Sequence, residues 1–162
     1  MAELREIDGL RLTILRGGGA RFQAAVTGAL GFELPEVPNT VAGCALWLGP
    51  DEWLVVSDMD MSEALEAALE GEHRAIVDVS DARAVLELSG ADAPDVLASS
   101  CRLDLRALES GCCAQTGLAR VPLLLEPREG GVWRFYVGRS FAAYTRAWLE
   151  DAMALQSISA SP

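Results

Sequence analysis

The chain contains no lysine: all 13 of its cationic side chains are arginines. That absence removes a Schiff-base amine and the phosphate-loop lysine together, and with them two large classes of enzyme. Histidine is nearly absent as well. His73, the single one, cannot be one of several imidazole ligands, and its polar setting (Glu70-Gly71-Glu72-His73-Arg74) reads as an exposed turn. The four cysteines, Cys44, Cys101, Cys112 and Cys113, include no C-x-x-C pair. Adjacent residues on a strand face opposite ways, so one of Cys112 and Cys113 is expected inside and the other outside. Neither has an adjacent cation to favour a thiolate. No apolar run approaches bilayer-spanning length. Residues Met1 to Glu6 lack the apolar core and cleavage pattern of a signal peptide. These gaps predict a cytoplasmic protein with reduced thiols and no membrane association. Positive charge is also short, with 24 Asp and Glu and a net charge of −11. Such a surface repels phosphate backbones and anionic lipid, so nucleic acid is not an expected partner.

What remains is a globular chain of 162 residues, 51% of them hydrophobic. A chain of that size buries about 70% of its unfolded surface and needs no staple. Several short patterns imitate sites and fail on spacing. Gly17-Gly18-Gly19 lies between a predicted strand and helix, but Phe22 stands where a G-x-G-x-x-G loop needs its last glycine; the run reads as a tight turn. Asp58-Met59-Asp60-Met61-Ser62 starts like a calcium loop, yet Glu63 occupies the slot of its obligatory glycine. The pairs Asp78/Asp81 and Asp92/Asp95 flank turns and caps, where carboxylates accept from the backbone.

The most informative stretch is Val132 to Ala152. It predicts a strand over 133–137, a break at Gly138-Arg139, and a helix capped by Ser140 and ending near Met153. Phe141, Tyr144, Thr145, Trp148 and Leu149 share one face of that helix, for which the default reading is core. Shifting by 80 positions places Trp133 on Trp53 and the five face positions on Met61, Ala64, Leu65, Ala68 and Leu69. A second offset, of 74, places Leu12 and Ile14 on Leu86 and Leu88. Two copies of one unit are predicted.

Taken in order, the first copy reads as strand 10–15, helix 21–30 stopped by Gly31, loop 32–39, strand 42–48, strand 52–57, helix 61–70 and strand 75–79. Asp60 and Glu63 are placed to form a capping box. The second copy reads as strand 84–89, a short helix capped by Asp92 and ending at Ala98, strands over 114–119, 121–126 and 132–137, and the aromatic helix. The expected fold is α+β, two pseudo-repeated ferredoxin-like β-α-β-β-α-β halves. One domain over 1–155 is expected, with halves at about 8–80 and 82–153 and a disordered tail over 156–162.

Longer blocks carry a resemblance. Gly49 to Val55 (GPDEWLV), Val77 to Arg83 (VDVSDAR), Leu86 to Gly90 (LELSG) and Cys101 to Leu105 (CRLDL) occur in this order. Cys113 to Thr116, Ala119 to Leu124 and Arg139 to Tyr144 follow, with Trp148-Leu149 closing the set. Across about residues 45 to 152 this pattern resembles the gamma subunit of bacterial heterotetrameric sarcosine oxidase. That family in turn resembles the folate-binding domain of aminomethyltransferases, with Asp78-Val79-Ser80 and Leu86 to Gly90 the part most alike. No equivalent of the transferase's catalytic-aspartate segment is present.

The resemblance implies a non-catalytic subunit of a complex that demethylates sarcosine oxidatively to glycine. Formaldehyde or methylene-tetrahydrofolate and hydrogen peroxide are the other products. It implies alpha, beta and delta subunits as partners. FAD, FMN, NAD and folate would sit on the larger subunits, zinc on the small one, and no cofactor on this chain. Arginine and aromatic residues dominate interface energetics, which singles out Arg120, Arg139, Tyr144 and Trp148 as contacts. The alternative is a free-standing binder of a folate or another one-carbon carrier, using a crevice between the halves.

Overall fold

A computed structural model describes residues 1–159 and divides into two compact units. One is continuous, Gly9–Asp81; the other joins Met1–Asp8 to the chain from Ala82 onward.

The continuous unit contains β2 (Arg11–Gly17), α1 (Ala20–Leu30), β3 (Val41–Ala42), β4 (Ala45–Gly49), β5 (Glu52–Ser57), α2 (Ser62–Ala68) and β6 (Arg74–Asp78). Its strands lie in the order β3-β4-β5-β2-β6, every neighbouring pair antiparallel. Alternation along the strands sends Leu15, Ala45, Trp53 and Val55 to one face, where they bury Phe22, Val26, Leu65 and Leu69 from the helices. Trp53 stacks on Phe22 with ring centroids 6.1 Å apart, and its indole N–H donates to the Pro35 carbonyl at 2.8 Å. The loop between α1 and β3 is thereby fastened to the core.

The other unit contains β1 (Glu3–Glu6), β7 (Arg83–Ser89), α3 (Ala93–Ala98), β8 (Ala114–Leu118), β9 (Val121–Arg128), β10 (Val132–Gly138) and α4 (Ala142–Ser159). Its strand order is β1-β7-β10-β9-β8. Position by position this is the same sheet, with β7 for β2, β10 for β5, β9 for β4 and β8 for β3. The sixth element differs in origin. No strand follows α4 among the described residues; β1 fills the place of β6, pairing Leu4 with Leu88. The predicted β-α-β-β-α-β order of the second half is therefore completed from the N-terminus. The sequence reading assigned no element there, because three of the four residues are charged and only Leu4 points to the core.

The structure corrects several local expectations. Residues 42–48 are not one strand: Gly43 and Cys44 make a two-residue turn between β3 and β4. Gly43 has φ 54°, and a Cβ there would lie 2.5 Å from the Phe32 ring, so only glycine fits. Ser140 is not an N-cap; Arg139–Phe141 form a 3-10 turn that leads into α4. Asp60 accepts from the Ser62 backbone N–H at 2.9 Å, and no capping box forms with Glu63. Asp92 makes no capping bond; its carboxylate lies 3.3 Å from the N-terminal ammonium of Met1. The helix expected to end near Met153 continues to Ser159, so the start of the expected tail is helical; residues 160–162 lie outside the described residues.

The repeat itself is off by one in one strand. Leu15 pairs with Trp53, and Leu88 pairs with Trp133. The structural offset for β2 and β7 is therefore Leu15 onto Leu88, not Leu12 onto Leu86. A slip of one residue exchanges the faces of a strand. It went unseen because both faces of β2 carry buried residues, Leu12 on one and Leu15 on the other. The offset linking α2 to α4 holds: Leu65 and Leu69 are buried, as are Thr145 and Leu149.

A candidate partner interface on the last helix

Helix α4 has a polar surprise on its inner face and an apolar one on its outer face. Thr145, Leu149 and Ala152 are buried against the sheet. Thr145 tolerates that position because its hydroxyl donates to the Phe141 carbonyl at 2.9 Å, one turn back. The aromatic residues do not follow them inward. Phe141 is 45% exposed and Tyr144 50%, and farther along Leu155 and Ile158 reach 69% and 71%. Trp148, partly buried, packs its edge on the core of this unit. Phe141, Trp148 and Leu155 recur every two turns, so a stripe runs from the 3-10 turn along α4, flanking its buried face.

The four contact residues expected from the sequence are placed unequally. Tyr144 donates from its hydroxyl to the Ala119 carbonyl at 3.1 Å, fixing α4 to the hairpin turn between β8 and β9. Arg120 is the next residue of that turn and is exposed. Ala119 and Arg120 have φ 47° and 75°, the positive pair a two-residue hairpin requires and glycine or asparagine normally supplies. Tyr144, Trp148 and Arg120 thus contribute to one outward surface. Arg139 is different, because its guanidinium is engaged inside the unit. It donates to the Arg83 carbonyl at 2.7 Å and lies 3.3 Å from Glu6. Glu6 also pairs with Arg146 at 2.9 Å, so both arginines hold β1 to the base of α4.

Beside Trp148 the surface sinks into a groove of about 380 Å³, lined by Ser99, Trp148, Asp151, Ala152, Leu155 and Gln156. Trp148, Ala152 and Gln156 form one ridge of the helix, and the small central alanine leaves the dip. Gln156 reaches across to the Asp95 carbonyl of α3 at 3.4 Å. Leu155 and Ile158 escaped the sequence reading because the helix was expected to stop at Met153. The recurrence Phe141, Trp148, Leu155 was the available signal.

The opposite, helix-free face of the same sheet carries a ladder of buried charge. Arg5 lies 3.3 Å from Glu87, which accepts from Arg134 at 2.8 Å. Two residues on, the Tyr136 hydroxyl donates to Glu126 at 2.6 Å, and Glu126 also accepts from Arg128 at 3.1 Å. Burial, then the Glu126 carboxylate, holds the Tyr136 phenol far above its usual range. Burial opposes the charge of Arg134, but bonds to Tyr136 and Glu87 outweigh it and raise its pKa. Each buried carboxylate has its cation, which is the arrangement of a structural ladder.

The remaining sequence candidates stay apart. His73 is exposed in its turn, Cys113 is buried and Cys112 half-buried. Burial raises the Cys44 thiol, leaving it protonated. Among the described residues no group of three or more His, Cys, Asp or Glu is placed to hold a metal, and no helix is long and apolar enough to cross a membrane.

A model of the "Sarcosine oxidase, gamma subunit family" matches residues 16–155. The chain belongs to the sarcosine oxidase gamma subunit family. It is 41% identical to the sarcosine oxidase subunit gamma of an Arthrobacter species, over 83% of this chain and 71% of that relative. To the subunit gamma of Corynebacterium sp. (strain P-1) it is 39% identical, over 93% and 79% respectively. A chain in the structure of heterotetrameric sarcosine oxidase from Corynebacterium sp. U-96, in complex with pyrrole 2-carboxylate, superimposes with a TM-score of 0.92 and 35% identity. That match covers 99% of this chain and 87% of the other. The glycine cleavage system aminomethyltransferase T from Bartonella henselae superimposes with a TM-score of 0.66 at 16% identity, over 91% of this chain and 45% of that one. At that identity the likeness shows the fold alone. It agrees with the duplicated α+β architecture read from the sequence.

Proposed function

We propose that this chain is the gamma subunit of a heterotetrameric sarcosine oxidase and serves it as a non-catalytic, structural subunit. The observation that carries the reading is the superposition, over nearly the whole chain, on a chain of such a tetramer. The outer face of α4 supports it physically. A helix that buries Thr145 while leaving Phe141, Tyr144 and Leu155 toward solvent is built to be covered by another chain. In this reading the partners are alpha, beta and delta subunits. FAD, FMN, NAD and the folate site reside on the larger of these and zinc on the small one. The assembled complex converts sarcosine to glycine, releasing formaldehyde or methylene-tetrahydrofolate and hydrogen peroxide.

The test is co-expression of the tagged chain with the other sarcosine oxidase chains of its own source. A yellow, flavin-containing complex that elutes with the tag at fixed stoichiometry, and no turnover of sarcosine by the lone chain, is the expected result. A colourless lone chain that elutes without partners overturns the reading.

A further inference from the structure

Helix α4 turns two different chemistries outward. Its first half shows aromatics beside arginine: Phe141 and Tyr144 near Arg120. Its second half shows aliphatic side chains beside carboxylate: Leu155 and Ile158 near Asp151. The acids of this second region are not equally engaged. Asp92 is held by the N-terminal ammonium at 3.3 Å, and Glu150 lies 3.9 Å from Arg146. Asp151 is exposed, and among the described residues no cation lies within ion-pair range of it or of Asp95. An unpaired carboxylate on the lip of an apolar groove asks for an apolar group with a cation next to it.

We propose that the groove between α3 and α4 receives an apolar side chain, flanked by arginine or lysine, from an amphipathic helix of a partner subunit. The proposal rests on the subunit reading above and adds where, and with what chemistry, a second anchor forms. A groove between two helices is shaped to take a third by ridge-into-groove packing. The stripe from Phe141 to Ile158 is about 25 Å long at the helical rise, room for a partner helix of about five turns. The net charge of −11 attracts a partner face bearing cations and speeds its approach.

The experiment uses the co-expressed complex and two variants, Leu155→Asp and Asp151→Arg. Both sites are exposed, so the lone variants are expected to melt like wild type. Leu155→Asp places a charge in the apolar seat and is expected to weaken capture of the flavin-containing chains at least tenfold. Asp151→Arg opposes the partner's cation and is expected to weaken capture about tenfold, with the wild-type complex becoming more salt-sensitive than the variant. If wild type captures the flavin-containing chains and both variants capture them equally well, the groove is not the seat, while the subunit reading stands. If wild type captures none, that reading fails and the groove proposal with it. If the lone chain dimerises and Leu155→Asp abolishes the dimer, the groove is a self-contact and the proposal is overturned.

Discussion

The hydroxyl of Tyr136 donates to the carboxylate of Glu126 across β9 and β10, at 2.6 Å and out of water. Tyr136→Phe leaves that carboxylate with Arg128 alone. A buried acceptor that loses its donor costs about 1–3 kcal/mol, so urea unfolding should show a loss of that size. The phenol's pKa is raised in the fold. The folded chain therefore keeps a proton that the unfolded chain loses above about pH 10. That contribution is whole below the ordinary tyrosine value and declines as the solution becomes more alkaline. Stability measured from pH 9 to 11 should fall for wild type, and the Tyr136→Phe curve should be flatter. Parallel curves would contradict this account.

Asp78 has the opposite sign. Bonds from the Ser80 hydroxyl and backbone N–H, then Arg11, hold its carboxyl below the usual range. Its stabilisation is complete above about pH 4 and is lost as pH falls through the lower, folded value. Asp78→Asn should lower the melting temperature at neutral pH, where that stabilisation is complete, and flatten the acid limb so that the two profiles converge below about pH 4.

Arg120 separates stability from assembly. It stands at φ 75°, where a side chain costs about 1–2 kcal/mol that glycine does not incur. Arg120→Gly should therefore raise the melting temperature of the lone chain while weakening capture of the partner chains. A variant that melts higher and assembles as before would remove Arg120 from the interface.

Arg139 does not allow that separation. The sequence places it among the expected contact residues. Its bond to the Arg83 carbonyl at 2.7 Å instead predicts a loss of about 1 kcal/mol in the isolated chain. Thermal melts of Arg139→Ala before any binding measurement decide which role it has.

Two tryptophans should behave as opposites. Trp53 is enclosed, stacked on Phe22 and bonded to Pro35, so Trp53→Ala should cost about 3–5 kcal/mol. Trp148 is only partly enclosed; Trp148→Ala should cost clearly less stability and show its main effect in partner capture.

Where local pattern and burial agreed, the sequence was readable. Leu15, Trp53 and Val55 share the helix-covered face of their sheet, and the break at Gly31 ends α1 with its N–H donating to Thr27 at 2.8 Å. The α2-to-α4 offset survived because two buried leucines in one helix match a threonine and a leucine in the other. What stayed hidden lacked local contrast. β1 is nearly all charge and gains its place only by pairing with β7, far along the chain. The strand offset slipped because β2 is buried on both faces. On α4, the spacing gave the face but not its limits: Phe141 and Tyr144 flank buried Thr145 on the expected stripe and are about half exposed. Leu155 was missed because no cap or glycine marked where α4 ends.

The placement of β1 also orders events as the chain is made. β1 and β7 are separated by the whole of Gly9–Asp81, so β1 can dock only once β7 has been made. The interior unit has all five strands of its sheet within Gly9–Asp81, whereas the other draws its strands from both sides of that segment. Once β7 is present β1 can pair with it, and the last-made helix adds a second hold through Arg146 and Glu6.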